Sequence, residues 1–471
     1  VKRTTLSLAA VVAILAVIAG IATLTRTDTA TAGPKPVRQV PVQRTEAVCP
    51  QIKDQVGDAQ TLVSAVSPGA LKDPASGGEA TVAETADLSK VKVKPEGVGK
   101  PATATVEKTG TPPLTGTATG AYAPGFAVQE TTRATLGNGR GLAGVVCTAP
   151  VVDSWFVGTS TADGRNAYLQ LANSKDTPAQ VDVEVYGPDG PIEAEGGRGL
   201  TLAPGASQSV MLRTLTPQPV PTIAVHVVSR VGRVSADIRD EGGTTGTDWV
   251  PAAGAPGRSL VIPGIPADAT SVQLVLAVPG DNDTSIGLEV VGKNSTYKPA
   301  ANESVHVNGR QVVSVDLGTL TQGEPGALKL TADRADVLAG VRVVRGTGDK
   351  TETAFLTATP ALTGRSVLAD ARAGGKIATT VFLSAPTEKS GRVRVSGLSA
   401  KGDPAVQEFD IPAGTTIAVP APAPADSPTF ALTVEPEPGS GPVHAARMLD
   451  ETAENVPMFT VQGFAPAHET V

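Results

Sequence analysis

A chain of 471 residues is too long for one ordinary core and predicts about three or four units of roughly 100–150 residues each. Aromatic residues are only 3% of the chain against 40% hydrophobic, so its cores must be built from Val, Leu, Ile and Ala, which suits packed β-strands. The net charge of −7 is spread along the chain and argues against nucleic-acid binding, while two cysteines outside any CxxC or Cys/His cluster give no support to metal or dithiol chemistry.

At the N-terminus, Lys2 and Arg3 precede an uncharged run from Leu6 to Leu24, about 28 Å as a helix and enough to cross most of a hydrocarbon core. Residues 1–33 therefore read as a signal anchor with its basic end in the cytoplasm and the bulk of the chain outside. Ala30-Thr31-Ala32 offers the alternative of cleavage after Ala32 and secretion. A Pro-rich tether follows from Gly33.

Residues 34–150 read as a divergent β domain. PVQRTEAVCPQ carries Cys49, GFAVQETTRATL and GRGLAGVVCTAP lead to Cys147, and the Ala-, Thr-, Gly- and Lys-rich stretch from 70 to 117 is expected to be a disordered insertion. An exported chain with two cysteines, each in a strand-like run, predicts a disulfide between Cys49 and Cys147. The alternative, a pair of reactive thiols, lacks a neighbouring His or Lys to lower a thiol pKa.

From residue 151 a period of about 105 residues appears. QLANSKDTPAQVDVEVYG corresponds to LVLAVPGDNDTSIGLEVVG and to VFLSAPTEKSGRVRVSG; LAPGASQSVML, VNGRQVVSVDL and IPAGTTIAVPA follow, with Gly205, Gly309 and Gly414 at the turn. Apolar residues alternate with polar ones between Gly, Pro, Asn and Asp punctuation, the pattern of antiparallel strands. The expectation is an all-β chain of tandem immunoglobulin-like β-sandwiches over 151–256, 257–363 and 364–471, docked side by side. A β-propeller is the competing architecture, although blades usually have a shorter period.

Chemistry is harder to find. His226, His306, His444 and His468 share no metal-ligand spacing, and no G-x-S-x-G elbow is present, so each histidine reads as structural or superficial. Asp281, Asp283 and Ser285 alternate as calcium ligands do, but an EF-hand needs Gly and Glu where this loop has Ile286 and Gly292; a hairpin turn is expected. Asp240-Glu241 and Asp450-Glu451 read as solvated strand ends. Trp155, Phe156 and Tyr168 could pack into a core or, if exposed, stack on sugar rings.

Trp155-Phe156-Val157-Gly158-Thr159-Ser160, Asp163-Gly164, and Tyr168-Leu169-Gln170-Leu171-Ala172-Asn173 before VDVEVYG resemble the repeat of an uncharacterised bacterial family, common in actinobacteria, of exported, membrane-anchored β-rich proteins. Ser174 stands where that family often has Pro. The resemblance implies location and architecture and brings no catalytic residue.

The sequence therefore predicts an extracytoplasmic structural or interaction protein of the cell envelope, with no catalysis, cofactor or metal and no nucleic acid. It would be held by its N-terminal helix and bind an envelope protein or glycan. The alternative is a carbohydrate-binding accessory protein, for which an exposed Trp155 or Trp249 would supply the glycan contact. An enzyme would need scattered acids and histidines to converge in one cleft.

Overall fold

Where the alternation is cleanest the strands follow it residue by residue: Gly391–Leu398 buries every second side chain against the core. The computed structural model describes residues 40–51, 58–70, 76–106, 111–137, 139–300, 302–401, 403–425 and 427–468, with Ala13, Ala16 and Val17. Apart from those three residues, the expected anchor over 1–33 and the cleavage site after Ala32 lie outside them. No helix among the described residues is long and apolar enough to cross a membrane.

Four units follow one another. The first contains β1 (Arg44–Cys49), β2 (Gln60–Val66), β3 (Ala80–Glu84), β4 (Asp87–Val93), β5 (Ala102–Val106), β6 (Leu114–Thr119), β7 (Ala127–Ala134) and β8 (Gly141–Val146). The second has β9 (Asp153–Thr159), β10 (Asn166–Ala172), β11 (Ala179–Gly187), β12 (Gly190–Ile192), β13 (Leu200–Leu202), β14 (Ser207–Met211), β15 (Ile223–Val231), β16 (Ser235–Glu241), β17 (Thr247–Val250) and β18 (Ala252–Ala253). The third has β19 (Ser259–Ile265), β20 (Ala269–Ala277), β21 (Thr284–Val291), β22 (Thr296–Tyr297), β23 (Ser304–Val307), β24 (Val312–Asp316), β25 (Gly326–Ala332), β26 (Leu338–Thr347) and β27 (Lys350–Thr357). The fourth has β28 (Ser366–Arg372), β29 (Ala378–Ala385), β30 (Gly391–Leu398), β31 (Ala405–Ile411), β32 (Thr415–Pro420), β33 (Thr429–Pro436), β34 (His444–Ala453), β35 (Val456–Gly463) and β36 (Ala465–Pro466).

One topology recurs. In the first unit the sheets run β4-β3-β6-β1 and β5-β2-β7-β8, and the fourth repeats this as β31-β30-β33-β28 and β32-β29-β34-β35. The second and third keep the same order, with the outer fourth strand split into β12 and β13 or into β22 and β23. All these pairings are antiparallel, and each unit buries an aliphatic core between its two sheets. An immunoglobulin constant domain also pairs its second strand with the fifth and its third with the sixth. Here, however, the first strand pairs with the sixth and the seventh with the second, so the immunoglobulin order is met only in part.

The first unit corrects one expectation outright. The stretch 70–117, read as a disordered insertion, holds β3 to β6 among its described residues. Its threonines, which suggested low complexity, pair across strands: Thr85 with Thr115 at 2.9 Å and Thr81 with Thr117 at 3.3 Å. β4 hid because it is an edge strand exposed on both faces, with Leu88 and Val91 about half exposed.

The units close into a ring. The β9-β15-β11 sheet turns its second face to the third unit, where Trp155, Val157 and Ala224 pack on Val275, Val312 and Leu338. Ile262 and Ile265 of the third unit meet Phe382, Ala446 and Met448 of the fourth. Val367, Ala369 and Ala431 of the fourth meet Val66 and Ala127 of the first, and Glu46 of the first reaches Ser174 and Lys175 of the second. Sandwich units are thus stacked sheet on sheet about an axis, as blades are in a propeller, and β8, β17, β27 and β35 line that axis in succession.

Candidate functional site: the ring axis and the seam at Trp155

β8, β17, β27 and β35, one from each unit, are the innermost strands, so four backbones converge where little room remains. Glycines make the approach feasible: a Cβ on Gly141 or Gly246, both at positive φ, would run into the Glu352 carboxylate or the Thr247 backbone. Asp248 of β17 joins the four units. Its Oδ1 accepts the Gly144 N–H of β8 at 3.1 Å and the Thr460 hydroxyl of β35 at 2.9 Å, and the Phe355 N–H of β27 also faces it. Gln462 extends the network, donating to the Gly144 carbonyl at 2.9 Å and to Thr460 at 2.6 Å. Burial holds the carboxyls of Asp248 and Glu352 well above the usual carboxylate range, against the pull of the N–H groups that face them.

Charge is compensated around this centre. Asp370 of β28 takes two bonds from Arg372, at 3.0 and 3.1 Å, and one from Thr131 of β7 at 2.6 Å. Burial pushes its carboxyl up, but Arg372, Arg447 and Thr131 outweigh it and hold it below the usual range. Arg447, fully buried, is pushed down to about 10 by burial and faces the charges of Asp370 and Asp248. Arg133 of β7 grips Glu451 of β34 in two bonds of 2.6 and 2.7 Å. At the seam of the first two units, burial pushes Asp237 up to about 7 and raises Glu130 well above its ordinary value, helped by the charge of Asp237. Together these groups tie the units into one body.

The second polar cluster lies on β9, β11 and β15. The register sets Trp155 opposite His226, and Glu184 on its other side. The His226 ring stacks on the indole with centroids 4.0 Å apart, its Nε2 is 2.7 Å from Asp153 and its Nδ1 is 3.1 Å from Glu184. Tyr186 donates to Glu184 at 3.0 Å, and burial followed by that bond pushes its hydroxyl up to about 12. A histidine between two carboxylates can relay a proton or hold two strands together.

Cys49 and Cys147 are joined, linking the ends of β1 and β8 beside a Val48–Thr148 bridge. The proposed glycan contacts are not platforms: Trp155 is 8% exposed under His226, and Trp249 is 5% exposed, packed on Ala143 and Val145 below Arg239. Steric closure between neighbouring sheets buries both. Asp281 and Asp283 stand on the connection between β20 and β21, which lie in different sheets, so the expected hairpin turn is replaced by a crossing from one sheet to the other, and Asp283 accepts the Gly309 N–H at 2.9 Å. Among the described residues no three His, Cys, Asp or Glu side chains gather as metal ligands. The four histidines lie apart: His306 beside Ser285, His444 on Thr359, and His468 exposed near the end of the chain.

The reading of Asp240-Glu241 and Asp450-Glu451 as solvated strand ends needs correction. Asp240 is buried and accepts from Thr159 at 2.9 Å and from Arg165, while Glu451 is buried against Arg133. Their recurrence late in the seventh strand of two units was the available signal. The rest of the axial set had no sequence signal, because its members meet across four units.

No curated protein matches the chain. The model of a family of unknown function, DUF5719, matches residues 102–422, from β5 in the first unit to just past β32 in the fourth. With more than half its length matched, the chain belongs to the DUF5719 family of unknown function.

Proposed function

We propose that this protein works outside the cytoplasm as a membrane-anchored structural or interaction protein of the cell envelope, engaging a partner at the outer rim of its ring. The Cys49–Cys147 disulfide carries the reading, because such bonds persist in oxidising compartments. The apolar run behind Lys2 and Arg3 supplies the anchor and the orientation. Every sheet ends outward on an edge strand, and such edges accept an added strand from a partner. β4 and β31 also carry the exposed apolar side chains of Leu88, Val91 and Val406. The carbohydrate-binding alternative loses its aromatic platform with both indoles buried.

Intact cells carrying the chain with a C-terminal tag test this directly. Protease added outside is expected to reach the tag, and crosslinking is expected to recover an envelope protein in smaller yield from Val91→Arg or Val406→Arg. A tag protected until lysis, or two titratable thiols in the freshly isolated protein, would overturn it.

A further inference from the structure

The ring repeats four times, so a position where one unit departs from the others is informative. The first residue of the seventh strand is Ala127, Ser235, Leu338 and His444 in successive units. His444 alone is an imidazole, and it lines a cleft of about 490 Å³ where three units meet. Ala253 and Gly254 come from the second unit, Leu260 and Leu338 from the third, and His444 from the fourth. The lining is mainly aliphatic, and the volume lies within the range of small-molecule sites.

The hydrogen bonding of His444 fixes what it offers. Its Nδ1 lies 2.8 Å from the Thr359 carbonyl, which can only accept, so Nδ1 carries the proton. Burial holds the ring below its ordinary pKa and so favours the neutral form. Nε2 is then an acceptor, and among the described residues no group bonds to it.

The geometry points to a binding site at this cleft for a small, largely apolar molecule that carries one hydroxyl or N–H, the apolar body lying on Leu260 and Leu338 and the donor bonding to His444 Nε2. The site is independent of where the protein resides. Gly254 provides a block, since it lines the cleft and a Cβ added there meets no heavy atom within 4 Å.

The test is calorimetric, with two probes of one shape: 2-naphthol, and 2-methoxynaphthalene, which lacks the O–H. The folded protein is expected to bind 2-naphthol at one site with Kd below about 1 mM and the ether about tenfold more weakly, the effect of one lost hydrogen bond. His444→Phe is expected to bring the two probes to equal affinity. Gly254→Trp, with an unchanged melting transition, is expected to abolish binding of both, and it serves even if His444→Phe fails to fold. Failure of 2-naphthol to saturate, equal binding of the two probes by the unsubstituted protein, or unchanged binding by Gly254→Trp would overturn the assignment.

Discussion

Asp237, at the seam of the first two units, shows how much the joining of units asks of single residues. Its carboxyl is buried and pushed up to about 7, from an ordinary value of 3.8. The folded protein therefore keeps a proton that the unfolded chain sheds above about pH 4, so stability falls as pH rises from about 4 to 7 and levels off beyond. Asp237→Asn should raise stability at pH 8 by roughly 2–4 kcal/mol and leave it nearly unchanged at pH 4, as read by denaturant midpoints. Gly246→Ala is expected to act the other way. The glycine has φ near 91°, and an added Cβ would lie 2.6 Å from Glu352, so a loss of roughly 2–4 kcal/mol should appear in the same assay. Neither effect was legible in the sequence, where Asp237 reads as the polar member of an alternating strand and Gly246 as one turn glycine among many.

Strands were legible where one face is buried and the other wet. β30 and β21 alternate cleanly, and the repeat aligned them before any fold was known. Strands at the rim were not: β4 is exposed on both faces, and β5 pairs through Ala and Thr with little apolar volume. The innermost strands were obscure for the opposite reason, since β17 is buried throughout and its four residues include Asp248 and Trp249. Contacts between elements of different units should behave as buried pairs. Glu451→Ala would strand Arg133, leaving it 3.9 Å from Asp58, and is expected to cost roughly 2–4 kcal/mol, with faster hydrogen exchange in β7 and β34. A loss confined to β34 would place the pair outside the seam that closes the ring.

At the scale of the molecule, the recurring unit was readable from a period of about 105 residues, and ring closure was not, because nothing local records which unit meets which. The sequence posed sandwiches and a propeller as rivals; sandwich units arranged like blades satisfy both patterns. Closure is head to tail, each unit offering one sheet face to the next, which leaves no free end when the fourth meets the first. The disulfide spans 98 residues of the first unit, and its removal by Cys49→Ala with Cys147→Ala should lower stability by about 4–5 kcal/mol in the chain-entropy account, read as a lower denaturation midpoint. Closure itself is tested most directly by solution X-ray scattering on residues 41–471. A closed ring predicts a radius of gyration of about 22 Å, the value for a compact chain of this length, and four units strung in a line would give roughly double that and contradict the account.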